Sequence, residues 1–208
     1  MSGLPSLFGT GLGLAAGTGL NSYAVLLVYA AMARLFPEDY PGAIPHLLSS
    51  TTALMTLGAL FVLEFFVDKI PGLDHFWDLV HSIVRPLAGG LLAVAVVSPH
   101  ADPAVTALAG GSGSVVSLAS HLLKSATRLT STALTAGIAN VALSLAEDIL
   151  AFLTALVSIF LPAVAFLLVM AIGAIFLFTV PKIARSIDLF GRRRGRPGRA
   201  AVDRAAPS

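Results

Sequence analysis

The sequence has no cysteine and few charged residues. Among 208 residues, the lack of cysteine excludes a disulfide scaffold and a thiolate metal site. Only 12% of the residues are charged, whereas 56% are hydrophobic. A soluble domain carries roughly twice that charged fraction. We therefore predict an integral membrane protein whose main partner is the lipid bilayer.

Catalytic and metal motifs are also missing. The histidines are His46, His75, His81, His100 and His121. No two of them have the spacing of a zinc hydrolase motif, and no Ser/His/Asp pattern is recognisable. We predict no metal and no other cofactor, and an enzyme is the less favoured class.

The first charged residue comes late. Residues 1–33 have no charged side chain, and Arg34 follows the apolar run, whereas a secretory signal peptide has its basic residues first. We expect this segment to stay in the mature protein. Its glycines are Gly11, Gly13, Gly17 and Gly19. They allow either close helix packing through small residues or a broken, re-entrant segment that lines a protected cavity.

Basic residues are concentrated at the C-terminus. From Lys182 onward the chain has eight of its 13 lysines and arginines, with Asp188 and Asp203 as the only acids there. The positive-inside rule predicts a cytoplasmic C-terminus, and we expect the protein in a cytoplasmic (inner) membrane. We interpret residues 183–208 as a largely disordered tail that serves as a topology signal. Binding of anionic lipid is the alternative, and nucleic acid is not an expected partner.

Ionisable side chains cluster between residues 64 and 90. In an amphipathic helix over residues 73–85, one face would carry residues at steps of four, three and four. Those residues are Asp74, Asp78, His81 and Arg85. Glu64 and Asp68 repeat the four-residue step on the preceding helix, predicted over residues 51–69, and Pro71-Gly72 predicts a break between the two.

The rest of the chain predicts further hydrophobic segments. Residues 35–50 are predicted as a loop, with Ser49–Thr52 capping the next helix, and residues 98–103 as a central loop. The run 87–97 is too short to cross roughly 30 Å of hydrocarbon. It must join the preceding helix across Pro86, or dip in and return. Residues 129–181 are long enough for two crossings, split at Pro162.

These segments predict an all-α integral membrane protein with about five or six hydrophobic segments, some short or re-entrant, and one amphipathic helix. Residues 1–182 form one polytopic membrane domain. A weak internal repeat relates residues 8–98 to residues 104–182. If both halves cross an odd number of times, the repeat is inverted, as in many transporters.

The motifs resemble a known family. The first motif is Glu64, Asp68-Lys69-Ile70-Pro71, Asp74, Trp77-Asp78, His81, Arg85-Pro86 and Gly89. The others are Gly19-Leu20-Asn21-Ser22-Tyr23, then His121, Lys124 and Arg128, and then Ser144-Leu145-Ala146-Glu147-Asp148. Over about residues 10–160 the chain resembles the bacterial integral-membrane family catalogued as domain of unknown function 4126. It departs after Arg128, where the family has a polar, proline-containing turn. The resemblance implies a small multi-helix membrane fold and no known activity.

Charges in a membrane need partners. One Asp, Lys or Arg at a helix centre costs about 2.5–3.5 kcal/mol on insertion scales. We therefore predict that distant acids and bases meet near one membrane interface, around a hydrated cavity. The predicted site residues are Glu64, Asp68, Lys69, Asp74, Asp78, His81, Arg85, His121, Lys124, Arg128, Glu147 and Asp148. The predicted flexible backbone positions are Gly17, Gly19, Gly111 and Gly113.

Individual residues admit simpler readings. Trp77 fits an interfacial anchor, and His81 fits a packing histidine as well as a proton relay. Metal ligation by Asp74, Asp78 and His81 is disfavoured because Arg85 shares their face.

Three classes of function follow for the whole set. A transporter or channel for a small solute or ion is favoured. A structural or partner-binding membrane protein, including a homo-oligomer, is the alternative, and a lipid-modifying enzyme is third.

Overall fold

The described part of the chain is entirely helical. The structure, a computed structural model, describes residues 3–70, 73–174 and 178. Its helices are α1 (Leu4–Thr18), α2 (Ser22–Leu35), α3 (Ala43–Leu48), α4 (Thr51–Val67), α5 (Leu73–Val97), α6 (Pro103–Thr135), α7 (Asn140–Phe160) and α8 (Pro162–Ala174), with a 3₁₀ turn at Pro37–Asp39. Within these ranges no strand occurs, and the all-α prediction is confirmed.

The chain divides into two compact units, Met1–Val169 and Met170–Ser208. The first contains α1 to α7 and the start of α8. Of the second, the described residues are 170–174 and 178. The predicted basic tail, residues 183–208, lies outside the described residues, as does the predicted break at Pro71-Gly72.

Helix starts follow local capping chemistry. The Ser50 side chain accepts a hydrogen bond from the Ala53 amide at the start of α4, which confirms the predicted cap. At the start of α6, the Asp102 carboxylate accepts from the amides of Ala104 and Val105. Both oxygens satisfy amides that have no partner inside the helix.

Two predicted boundaries change in the structure. Residues 35–50 are not a continuous loop, because they contain the 3₁₀ turn and α3. The first of the two crossings predicted over residues 129–181 does not begin at Leu129, since α6 runs on to Thr135 and α7 begins at Asn140. The chain then turns at Ala136 and Gly137, which have positive φ angles of 52° and 86°. By contrast, Pro86 lies inside α5, so the short run after it joins the preceding helix, and Pro162 does separate α7 from α8.

The helices pack closely through small residues. A Cβ added at Gly89 would lie 2.5 Å from Ser117 Cβ, and one at Gly113 would lie 2.8 Å from the Gly89 carbonyl. Real Cβ atoms avoid such distances, so α5 and α6 approach each other only because these positions are glycine. Gly13 of α1 contacts Ser158 of α7 in the same manner.

The helices α1 and α2 form a hairpin. Each is about 21–22 Å long, from 15 and 14 residues. They are joined by Gly19, Leu20 and Asn21. The first residues of α1 and the last residues of α2 line the same cavity, so α2 runs back alongside α1. The tip of this hairpin, residues 19–21, is therefore at the other end of α1 and α2 from the cavity, and its Asn21 side chain is fully buried.

Large apolar side chains cover the outside of α4 to α8. The most exposed are Leu134 near the end of α6, at 79%, and Ile138 in the turn that follows, at 81%. Others are Met55, Phe66, Leu79, Ile83, Leu87, Leu108, Leu122, Leu153 and Leu167. Among the described residues, two helices are long and apolar enough to cross a membrane, Phe76–Val97 and Asn140–Phe160. Many large apolar side chains on these helices are thus exposed, as they are where helices face lipid or a partner chain.

Candidate functional site

A cluster of buried charged residues surrounds the hairpin tip. Its members lie on α4, α5, α6 and α7 and on the two residues that follow α4. Nearly all are less than 9% exposed. We refer to them as the charged cluster: Glu64, Asp68, Lys69, Asp78, His81, Arg85, His121, Lys124, Arg128, Glu147 and Asp148. Eleven of the twelve predicted site residues thus lie together. The Asp74 side chain lies outside the described residues.

Arg85 is the centre of the first part of the cluster. Its Nη2 donates to Glu64 Oε1 at 2.8 Å, and both side chains are fully buried. Its Nη1 donates to the Gly19 carbonyl and to His121 Nδ1, both at 2.9 Å. Asp78 lies 3.7 Å from Nη2. We call these residues, with His81, the Arg85 group.

The second part contains two acids and two bases. Arg128 donates to Asp68 at 2.9 Å and to Glu147 through Nε at 3.0 Å. Lys124 Nζ lies 3.0 Å from Asp68 Oδ2 and 3.3 Å from Glu147 Oε2. Each carboxylate therefore contacts both cations, and the four charges balance. We call these residues the Lys124–Arg128 group.

The third part is one ion pair. Lys69 Nζ lies 3.4 Å from Asp148 Oδ2 and also donates to the Phe65 carbonyl at 2.9 Å. Asp148 accepts a second hydrogen bond from Asn21 Nδ2, at 2.8 Å. The Lys69 side chain is 19% exposed, the most accessible in this pair.

Backbone carbonyls of the hairpin tip complete the site. Arg85 donates to the Gly19 carbonyl, and Lys124 donates to the Leu20 carbonyl at 2.9 Å. The last carbonyls of a helix lack partners and carry partial negative charge, so two cations there are stabilising. Asn21 caps α2 by accepting from the Ala24 amide at 2.9 Å. Its amide group contacts Asp148 at the same time.

The predicted flexible glycines have different surroundings. A Cβ at Gly19 would meet backbone atoms of Ser117 and His121, and one at Gly17 would lie 2.9 Å from a Val25 methyl group. Gly113 is equally close to α5, whereas Gly111 has open space around it. The chain breaks at Gly19 but stays helical through residues 111–113. The first glycine-rich segment therefore packs closely through small residues along α1 and leaves the helix at Gly19.

Several polar partners were not predicted as site residues. Asn21, Ser82, Ser117 and Ser144 all hydrogen-bond to members of the cluster or to their backbone. Asn21 and Ser144 lie inside the motifs given in the sequence analysis, so those motifs could have identified them as site residues. The carbonyls of Gly19 and Leu20 have no sequence signature of their own.

Trp77 packs against His81 at a ring-centroid distance of 4.9 Å and is half-buried. The edge of Tyr23 contacts the same imidazole, with ring centroids 5.5 Å apart. His81 is thus enclosed by aromatic rings on α2 and α5. Across the described ranges, no group of three His, Asp or Glu side chains has the geometry to hold a metal ion.

A cavity of about 390 Å³ lies at the opposite ends of the same helices. It is lined by residues of α1, α2, α5 and α7 and of the segments that follow α2 and α5. They include Thr10, Tyr29, Tyr40, His100 and Phe160. Burial raises the pKa of Tyr40 to about 12, and the neighbouring Asp39 carboxylate adds to the effect. Its hydroxyl is therefore a neutral hydrogen-bonding group at physiological pH.

Fold and site together define a class of protein: a helical unit with an apolar exterior whose interior holds a network of paired charges. The chain belongs to the family described as "Domain of unknown function (DUF4126)", which matches residues 8–182. The resemblance seen in the motifs is thereby confirmed. No curated protein and no solved structure matches the chain.

Proposed function

We propose that this protein is a small membrane transporter or channel for a small solute or an ion, and that the charged cluster is its binding site. The observation that carries the proposal is the contact between Arg85, Lys124 and the two carbonyls of the hairpin tip. Discontinuous helices whose ends face charged groups inside a membrane are typical of transporter sites.

The proposal includes a membrane topology. Helices α4 to α8 cross the bilayer, and the α1–α2 hairpin is re-entrant, which gives the five or six hydrophobic segments expected. At about 50 Å for its 33 residues, α6 crosses with a tilt or extends beyond the lipid. The protein lies in the cytoplasmic membrane with its C-terminus in the cytoplasm.

Cysteine labelling tests the membrane placement, because the chain has no cysteine of its own. Leu153→Cys introduces a thiol on the apolar outside of α7, and Glu38→Cys introduces one in the exposed 3₁₀ turn. In membranes opened by freezing and thawing, a water-soluble maleimide should label Glu38→Cys rapidly and Leu153→Cys slowly. Equal labelling of the two variants would refute the topology.

A cavity further along α1 from the charged cluster supports transport. The cavity begins near Thr10, and Thr18 beside the cluster is about 12 Å further along α1. Between them α1 contacts its neighbours through glycines. We propose that a small movement of the hairpin connects the cavity with the charged cluster.

Flux measurements test the transport function. Purified protein in liposomes would be assayed against a panel of ions, amino acids and organic acids by solid-supported membrane electrophysiology and tracer uptake. The double variant Asp68→Asn/Lys124→Met removes one contact pair and keeps the charge balance. We expect it to lose flux, whereas the exposed control Arg34→Met keeps it. Flux that is absent from folded wild-type protein, or unchanged in the double variant, would contradict the proposal.

A structural role is the second candidate, because one observation favours it. The Lys124–Arg128 group and the Lys69–Asp148 pair are closed and electrically balanced. Such pairs can simply align helices. On this reading the double variant loses stability or an attached partner chain, and no solute in the panel is moved.

A further inference from the structure

The two histidines of the charged cluster are held in opposite tautomers. His81 Nδ1 lies 2.9 Å from the Trp77 carbonyl oxygen, which only accepts hydrogen bonds, so this nitrogen carries the hydrogen. His121 Nδ1 lies 2.9 Å from Arg85 Nη1, which only donates, so it is the acceptor. The hydrogen of His121 is then on Nε2, 3.0 Å from Ser82 Oγ.

These tautomers give the two histidines different roles. Both nitrogens of His121 are in use, and a second proton would point at the Arg85 guanidinium. Among the described residues, His81 Nε2 has no hydrogen-bond partner, although the side chain is only 1% exposed. It lies 4.0 Å from Glu64 Oε1. The Glu64 carboxyl is itself fully buried, and its second oxygen, Oε2, also has no partner in the described part of the chain.

Charge is unbalanced at the same place. Within the Arg85 group the acids are Glu64 and Asp78, and the permanent cation is Arg85. With both histidines neutral, the described members of this group have a net charge of −1, whereas the other two parts of the cluster are neutral. A lone pair on His81 therefore faces a carboxylate in a site that lacks one positive charge.

We propose that Glu64 and His81 together bind one exchangeable proton, which makes the proton the coupling ion of this protein. A proton from water adds to the lone pair of His81 Nε2 or to a Glu64 oxygen. When the two side chains move closer than their present 4.0 Å, the resulting N–H or O–H donates to the other group, and the group charge changes from −1 to 0. Loss of the proton to water reverses the step. The coupling role rests on the proposed transport function, but the proton site does not.

The groups that face this pair come from several helices. Tyr23 belongs to α2, Glu64 to α4 and Arg85 to α5, and His121 and Lys124 belong to α6. Asp68, at the end of α4, and Asp78, on α5, are the remaining acids near it. The contact from α1 is the Gly19 carbonyl, which does not titrate. Titration of the Glu64–His81 pair therefore depends on the charges of these neighbouring groups. It does not require His121 to bind a second proton.

Two spectroscopies on protein in lipid nanodiscs test the proton site. Nitrogen-15 NMR of labelled histidine follows His81 Nε2, and infrared difference spectroscopy follows a protonated carboxyl group. Over about pH 4 to 9, which spans ordinary carboxyl and imidazole titration, we expect uptake of one proton by the pair. Glu64→Gln should shift the His81 titration, and His81→Gln should shift or remove the carboxyl signal. The exposed helix cap Asp102→Asn is the control and should change neither.

The outcomes separate the two proposals. If the His81 signal is the same in wild type and Glu64→Gln, and the carboxyl signal is the same in wild type and His81→Gln, the proton site is refuted. If each substitution shifts the titration of the other group but liposomes show no flux, the proton site is supported and the transport proposal is refuted. Flux that does not depend on pH, together with uncoupled titrations, would overturn the proton inference alone.

Discussion

Replacing Arg128 with methionine should destabilise the protein more than any surface substitution. Arg128 is fully buried and donates to Asp68 and to Glu147. The Arg128→Met variant fills similar space but leaves two buried carboxylates with Lys124 as their shared cation. Breaking a buried ion pair by removing one partner costs about 3–5 kcal/mol. That loss is comparable to a large part of the total stability of a typical domain.

The assay is thermal unfolding in one detergent, followed by circular dichroism and by tryptophan fluorescence from Trp77. A loss of 1 kcal/mol lowers Tm by about 2–4 °C in a chain of this size, so the expected decrease is about 6–20 °C. Arg34→Met is the matched control. Arg34 is exposed and donates to the Ser49 carbonyl and Thr51 hydroxyl, so its loss should cost less than about 1 kcal/mol.

A double variant separates charge from shape. Arg128→Met/Glu147→Met removes one acid with one base and leaves Asp68 with Lys124. Because charge balance returns, the double variant should be more stable than Arg128→Met alone. If Arg128→Met is as stable as Arg34→Met, or if the double variant is less stable than Arg128→Met, this account of the cluster is refuted.

Other predictions concern the hairpin tip. Gly19→Ala should lower Tm, because its methyl group would meet backbone atoms of Ser117 and His121, whereas Gly58→Ala has open space and should gain up to about 1 kcal/mol in helix propensity; equal Tm changes would contradict the close contact. Asn21→Ala should cost about 1 kcal/mol or more in chemical unfolding, since it loses the helix cap and the hydrogen bond to Asp148. Asn21→Ser keeps a capping oxygen and should recover part of that loss; no recovery would argue against the cap.

The sequence predicted the members of the charged cluster better than their pairing. Spacing along one helix identified the face that contains Asp78, His81 and Arg85, because helical periodicity is a local property. Pairing depends on which helices are neighbours. Arg85 meets Glu64 on α4 and His121 on α6, and nothing in the spacing of these residues says so.

Helix ends were predicted unevenly for a related reason. Capping by Ser50 and the separation at Pro162 follow from local chemistry, and both were found. The end of α6 was not, because residues 129–135 contain neither glycine nor proline to mark a helix end. Gly137, just beyond, supplies the positive φ angle of the turn. Pro86 was compatible with a helix that continues through it or with a short run that enters the membrane and returns. In the structure α5 continues through Pro86 and packs against α6.

The α1–α2 hairpin is synthesised long before the residues that its tip contacts. Its helices leave the ribosome before α4 to α8, yet Asn21 meets Asp148, 127 residues later. At about 5–20 residues per second, that interval is on the order of 6–25 s. Until then the turn at residues 19–21 has no cation for its carbonyls and no acid for its amide group. Cells that make this protein must therefore keep the incomplete, apolar hairpin in a protected environment until the later helices have been synthesised and packed against it.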